Sequence, residues 1–272
     1  MLIIHCYLKV CLFGNNTRPE VLEQVRQLIA QMPEVSIVQP EESDMALSVG
    51  GDGTFLRTAA RVGELDIPIL GINAGHLGFL ADVPLDELQD ALREVLVEGE
   101  YTVQHRRLLQ LDIHDCIQKY QRFALNEISI LKRDQSSMVS VSVWIDGTFL
   151  NQYDADGLVI ATPTGSTAYS MSAGGPILEP LSQCWVIVPI APHSLTTRPL
   201  VIRDSCKIDI EVSSRNNIYL VAVDGQTVHL TTQSRLTLVK ADHTLGVVRR
   251  PDHTFFDTLR NKLMWGRDGR YL

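Results

Sequence analysis

The sequence predicts an α/β N-terminal domain with a parallel sheet, then a β-rich, all-β C-terminal domain, then one helix that returns to the first domain. Three observations predict this. The first hundred residues alternate strand and helix signals, the pattern of a parallel sheet covered on both faces. Beyond Tyr101 helical periodicity gives way to period-two runs such as "MVSVSVWI" (Met138 to Ile145) and "CKIDIEV" (Cys206 to Val212). Finally Phe255, Phe256, Leu259 and Leu263 fall on one helical face, which needs a surface to bury on. The expected boundaries are 1–100, 101–252 and 253–272.

Element by element, Lys9 to Phe13 reads as a first buried strand. Thr17-Arg18-Pro19-Glu20 has capping-box spacing with proline in the first turn. Val21, Leu22, Val25, Leu28 and Ile29 then share a helical face. Val35 to Val38 and Met45 to Val49 are short strands. Thr54 is a candidate cap for a helix turning Phe55, Leu56, Ala59 and Ala60 inward. "IPILGIN" is another strand, and Leu85, Leu88, Leu92 and Val95 mark another helix. Asp146-Gly147 and Asp224-Gly225 each lie between strand-like runs and predict tight hairpin turns.

Composition narrows the function classes. The 272 residues are 45% hydrophobic and 21% charged, with a formal net charge of -8. That balance argues against bulk nucleic-acid binding and against an anionic membrane surface, since both need a basic face. Five scattered cysteines without a CxxC argue against a disulfide framework or zinc site and favour the cytoplasm. The apolar start "MLIIHCYLKVCLFGN" lacks the basic opening and cleavage site of a signal peptide and is too short to span a bilayer.

The densest chemistry lies at "ALSVGGDGTFLRTAA", Ala46 to Ala60. A glycine-rich turn between strand and helix receives anions through free N–H groups and the helix N-terminus. Asp52 in such a turn would repel a phosphate unless a cation bridges them, or unless it takes a proton from a hydroxyl attacking that phosphate. Asn126-Glu127 interrupts a β run with two polar groups able to hold a ribose diol or an adenine edge. "DADGLVIATPTGSTAYSMSAGGPI", Asp154 to Ile177, is dense in Thr, Gly and Ser, a composition suited to phosphate or amide recognition. No Walker loop occurs anywhere, the GGDGT turn is not a GxGxxG, and the Asp154–Ile177 run lacks GxSxG. His76 and His193 lie in turns that could line the same crevice; the other histidines show no ligand spacing.

"GGDGTFLRTAA", "GINAGHLGFL", "LNEISIL", "ADGLVIATPTGSTAYSMSAGGPI" and "PIAPHSLTTRPLVI" together resemble a bacterial NAD kinase, in order and over nearly the whole chain. The resemblance implies the same two-domain fold and a reaction: transfer of the γ-phosphoryl of ATP to the adenosine ribose 2′-hydroxyl of NAD, giving NADP. It implies a divalent cation, Mg²⁺, and a homo-oligomer, a tetramer, with sites shared between subunits. It makes Asp52 the general base, Gly53 its phosphate-side neighbour and Arg57 a phosphate contact. Asn126 and Glu127 would hold NAD, and Asp156 would meet the nicotinamide end. Thr167, Ala168, Tyr169 and Ser172 would line the dinucleotide pocket, Ala191 and Gln226 would close it, and His76 and Phe79 would border it. Asp154, acidic where the resemblance to some relatives would lead one to expect a bulky or basic residue, stays outside the site. A lipid kinase sharing the GGDGT turn and a non-catalytic NAD sensor are the competing readings; no basic amphipathic helix supports the first.

Overall fold

In a computed structural model the chain is described at residues 7–14, 18–75, 78–81, 83–114, 116–133, 138–251 and 254–265. It forms two compact units, Met1–His105 with Leu245–Leu272, and Arg106–Thr244.

The first unit alternates strand and helix: β1 (Leu8–Gly14), α1 (Pro19–Ile29), β2 (Val35–Ile37), β3 (Met45–Gly50), α2 (Asp52–Val62), β4 (Ile69–Asn73) and α3 (Leu88–Arg93). The strands run parallel in the order β2-β1-β3-β4. Every residue of β3 and β4 is buried, as expected for parallel strands covered on both faces. In α1, Val21, Val25 and Ile29 are buried, with Leu22 and Leu28 partly so. Pro19 opens α1, where its missing N–H costs nothing, and Arg18 occupies the N-cap without a side-chain cap bond. Thr17, the expected cap, lies outside the described residues.

Helix α2 departs from expectation. Gly51, not Thr54, is its N-cap, and Thr54 is buried in the first turn. The inward face is Phe55, Thr58, Ala59 and Val62, while Leu56 is half-buried and Ala60 exposed. Thr58 can occupy a buried position because its hydroxyl reaches Ser48 Oγ at 3.1 Å and the Thr54 carbonyl at 3.0 Å.

The second unit is built from β5 (Thr102–Ile113), β6 (Phe123–Ala124), β7 (Glu127–Lys132), β8 (Val139–Ile145), β9 (Thr148–Ala155), β10 (Gly157–Ala161), the single-turn α4 (Tyr169–Ser172), β11 (Cys184–Ile190), β12 (Leu200–Arg203), β13 (Ile208–Ser214), β14 (Ile218–Val223), β15 (Gln226–Thr231) and β16 (Leu236–Arg249). One antiparallel set runs β16-β13-β8-β9 and another runs β12-β11-β10-β7-β14-β15. Both predicted hairpins form. Asp146 and Gly147 have φ of 49° and 79°, and Asp224 and Gly225 have φ of 47° and 83°, the positive values a two-residue primed turn requires. The core is the inward alternate residues of both sets, with Trp185 and Tyr219 fully buried among them.

β5 starts in the first unit, and β16 ends there, with Val247 pairing Ile69 of β4 in parallel. Just beyond β16, Arg250 pairs with Glu87 at 2.6 Å and Glu94 at 2.7 Å, fastening this return segment beside α3. The closing helix α5 (Phe255–Leu263) follows, opened by a reciprocal Thr254/Asp257 capping box. It belongs to the first unit, burying Thr258 and Leu259, with the Phe255 ring 6.3 Å from that of Phe79. Phe256, expected on the buried face, is 56% exposed. Among the described residues no helix is long and apolar enough to cross a membrane.

Candidate active site

In the first unit the glycine-rich turn ends β3 and starts α2. Asp52 is the first helical residue, where a carboxylate is stabilised by the positive end of the helix dipole. Its carboxylate is not free. Oδ1 accepts the Leu80 and Ala81 amides at 3.0 and 3.2 Å, and Oδ2 accepts the Phe79 amide at 3.0 Å. Lys262 Nζ of α5 lies 3.4 Å from Oδ2 and 4.5 Å from the centre of the Phe79 ring. Both lone pairs of Oδ1 are therefore taken, and among the described residues Oδ2 has, beyond the Phe79 amide, the long contact to Lys262. Gly78 allows this arrangement, because a Cβ there would sit 2.1 Å from Asp52 Oδ1. Gly53 is exposed, and a Cβ there would meet only the end of Arg57, at 3.9 Å. Arg57, one turn on, donates to Thr54 Oγ1 at 3.0 Å and is otherwise exposed. Phe79 is buried, and its carbonyl accepts from Arg249 at 3.0 Å. Asp52, Gly53, Arg57 and Phe79 are thus gathered by one turn and one loop; His76 lies outside the described residues.

In the second unit the Asn126-Glu127 pair opens β7. The carboxylate of Asp224, at the β14–β15 hairpin, accepts three consecutive amides: Leu125 at 2.7 Å, Asn126 at 2.8 Å and Glu127 at 3.1 Å. From the other chain direction, Thr162 donates its amide to the Asn126 carbonyl at 2.8 Å and its hydroxyl to the Leu125 carbonyl at 2.5 Å. The backbone is satisfied, yet Asn126 Oδ1 and Glu127 Oε2 are buried without a partner among the described residues. Buried polar atoms of this kind call for a polar ligand or water. Burial, then the Asp224 charge, pushes the Glu127 carboxyl up to about 8, opposed by the Tyr169 backbone amide. Burial pushes Asp224 up to about 6 against the pull of its three amides. A carboxylate accepting three N–H groups keeps its charge more readily than one accepting a single amide, so the proton of the pair resides on Glu127.

The hydroxyl-rich run follows β10 directly. Thr167, Ala168 and Tyr169 join a short helical turn to α4, and Ser172 ends α4. Tyr169 is 39% exposed, and Ser172 is exposed. Gln226 sits exposed two residues after Asp224. The β10 register pairs Ala161 with Glu127 at one end and Gly157 with Leu131 and Ile190 at the other. Asn126, Glu127 and the Thr167–Ser172 run therefore gather at one end of β10. Asp156 and Ala191 lie at the opposite end, where Asp156 pairs with Lys132 Nζ at 2.6 Å and Ala191 holds a φ of 43°. His193 is exposed.

Sequence reasoning missed Thr162, Asp224 and Lys262. Thr162 looks like the end of a strand and Asp224 like an ordinary hairpin residue, and nothing local marks Lys262. Among the described residues no group of three His, Cys, Asp or Glu side chains is placed to hold a metal ion.

The ATP-NAD kinase N-terminal domain family matches residues 15–101, and the ATP-NAD kinase C-terminal domain family matches residues 125–250. An NAD kinase of Bacteroides fragilis is 53% identical over 229 residues, 84% of this chain and 79% of that protein. An NAD kinase of Flavobacterium psychrophilum is 48% identical over 229 residues, 84% of this chain and 78% of its own. Among solved structures, an NAD kinase from Archaeoglobus fulgidus in complex with ATP has a TM-score of 0.76 at 26% identity, covering 94% of this chain and 99% of that one. Yeast NADH kinase complexed with NADH shares the fold at a TM-score of 0.85 and 24% identity, covering 97% of this chain and 90% of its own. Family models that span the glycine-rich, Asn-Glu and hydroxyl-rich segments, with relatives about half identical over most of their length, show that the chain belongs to the NAD kinase family.

Proposed function

We propose that this protein transfers the γ-phosphoryl of ATP to the 2′-hydroxyl of the adenosine ribose of NAD, producing NADP and ADP. Beyond family membership, the observation that carries this reading is that Asn126 Oδ1 and Glu127 Oε2, on consecutive residues, are both buried without a partner among the described residues. A protonated Glu127 offers a donor and an acceptor, and Asn126 adds an amide, a set suited to a ribose diol or base edge. Thr167, Ala168, Tyr169 and Ser172 lie at the same end of β10 and would line the dinucleotide, with Gln226 closing the pocket. Tyr169 offers an aromatic face and a hydroxyl to a flat heterocycle.

Asp52 acts as general base in this reading. The 2′-hydroxyl proton passes to Oδ2 along the direction now facing Lys262. The 2′-oxygen forms its bond to the γ-phosphorus as the β–γ bridging bond breaks, and ADP leaves with that electron pair. Phosphoryl transfer depends mainly on positioning and charge neutralisation, so a carboxylate already fixed by three amides suits the task. The exposed Gly53 and Arg57 would receive phosphate at the α2 N-terminus, and Phe79 would border the acceptor. A divalent cation, Mg²⁺, carried by ATP is part of the proposal.

The protein is proposed to act in the cytoplasm as a homo-oligomer, a tetramer, with Asp156 and Ala191 serving the site of a neighbouring copy. Their position at the far end of β10, away from the Asn126-Glu127 end, supports this. The direct test is incubation with ATP, Mg²⁺ and NAD, read out by an NADP-specific dehydrogenase, with mass measurement in solution for the oligomer. NADP should form, chelation by EDTA should stop it, and added Mg²⁺ should restore it. Phosphorylation of diacylglycerol or sphingosine faster than NAD would overturn the reading.

A further inference from the structure

We propose that Asp224 and Thr162 are positioning residues for NAD: together they clamp the Leu125–Glu127 backbone so that the Asn126 and Glu127 side chains are presented in one fixed geometry. The proposal rests on the reading of Asn126 and Glu127 as the pair that holds NAD.

The two residues act on opposite backbone groups. Asp224 takes the three N–H groups from Leu125 to Glu127, and its own amide donates to the Glu127 carbonyl at 3.1 Å. Thr162 takes the carbonyls of Leu125 and Asn126. The Thr162 hydroxyl also accepts the Gly165 amide at 3.2 Å, which ties the start of the hydroxyl-rich run to the same segment. Gly165 packs so closely there that a Cβ would lie 2.1 Å from the Asn126 carbonyl oxygen. Every backbone N–H and C=O of Leu125–Glu127 is thus taken, while Asn126 Oδ1 and Glu127 Oε2 have no partner among the described residues. An ordinary hairpin aspartate would leave its carboxylate in water or on its own turn. This one reaches amides 97 to 99 residues away. Three amides on one buried carboxylate make a stiff anchor because charge-assisted bonds are stronger than neutral ones.

The test uses the full chain with Thr162→Val, Thr162→Ser, Asp224→Asn and Asn126→Ala, measuring KM for each substrate, kcat, NAD affinity by calorimetry and Tm. Thr162→Val keeps the shape and removes the hydroxyl. It should raise the KM and Kd for NAD at least tenfold and leave the KM for ATP within twofold. Thr162→Ser restores the hydroxyl and should stay within twofold of the parent on every count. Asp224→Asn should follow Thr162→Val, because its NH₂ would face an amide donor. An NAD KM that stays at the parent value in Thr162→Val while Tm falls would reduce the clamp to a fold-stabilising feature and overturn the proposal. So would equal damage from Thr162→Ser and Thr162→Val. If Asp224→Asn fails to fold, the Thr162 pair decides alone. Asn126→Ala separates the two readings. If it binds NAD normally, the reading of the Asn-Glu pair is at fault; if it loses NAD while Thr162→Val does not, the clamp is.

Discussion

Asp52 illustrates how a carboxylate can sit in an anion-receiving turn. The amides of Phe79, Leu80 and Ala81 already stabilise its charge, and Lys262 places a positive charge 3.4 Å away. A phosphate approaching α2 therefore does not meet a bare negative charge. This arrangement shapes the expected outcome of Asp52→Asn. One oxygen becomes an NH₂ group, which faces an amide donor instead of accepting from it. Stability should fall by about 1–3 kcal/mol, the cost of an unsatisfied donor. Turnover should fall further, by roughly 10²–10⁴-fold, the usual contribution of a general base. Denaturant unfolding and steady-state assays separate the two, and turnover near the parent value in a folded variant would remove the base. Tyr169→Ala, by contrast, would remove the proposed contact with NAD, one expected to be made equally in ground and transition states. Its effect should appear mainly as a raised KM for NAD, and an unchanged KM would place Tyr169 outside the pocket.

Elements carry a second set of consequences. The turn before α2 and the loop at Gly78–Ala81 are joined through Asp52, so glycines in the two places should differ in tolerance. A Cβ at Gly78 would lie 2.1 Å from Asp52 Oδ1 and 3.2 Å from the Ala81 carbonyl oxygen, so the loop or the carboxylate must move. A Cβ at Gly53 meets only the end of Arg57, at 3.9 Å. Gly78→Ala should lower both Tm and kcat. Gly53→Ala should leave Tm nearly unchanged and act, if the phosphate passes there, through the KM for ATP. Thermal unfolding of the two variants side by side checks this, and equal losses of Tm would contradict the described packing.

Across the molecule as a whole, the buried carboxyl pair of the second unit should write itself into stability against pH. Glu127 is raised from about 4.5 to about 8 in the folded protein, with Asp224 raised from 3.8 to about 6. Between the unfolded and folded values the native state holds more protons than the unfolded state, so unfolding free energy falls as pH rises. The contribution of Glu127 is complete below about pH 4.5, declines by at most about 1.4 kcal/mol per pH unit, and is gone above about pH 8. Glu127→Gln, which cannot ionise, should flatten the decline in Tm between pH 5 and 8. A variant whose Tm declines in parallel with the parent would show that Glu127 is not the group responsible.

Much of this was readable in the residues themselves. Strand and helix alternation, the two Asp-Gly hairpins and the Pro19 helix start are written in neighbours a few positions apart, because each depends on local dihedral preference and apolar period. The glycine-rich, Asn-Glu and hydroxyl-rich segments were legible for the same reason, each being a short contiguous stretch. What could not be read there is which distant group each one meets. Asp224 looks like any turn aspartate until the β14–β15 hairpin lies beside Leu125–Glu127. Lys262 is one more charged helix residue until α5 brings it to Asp52, 210 positions earlier. Ala60 and Phe256 have the hydrophobicity of buried residues, yet they are exposed, while Thr58 is buried because Ser48 on β3 receives its hydroxyl. Hydrogen-bond partners and burial depend on how the chain folds back on itself, and a linear pattern records only the residues that are ready to be paired.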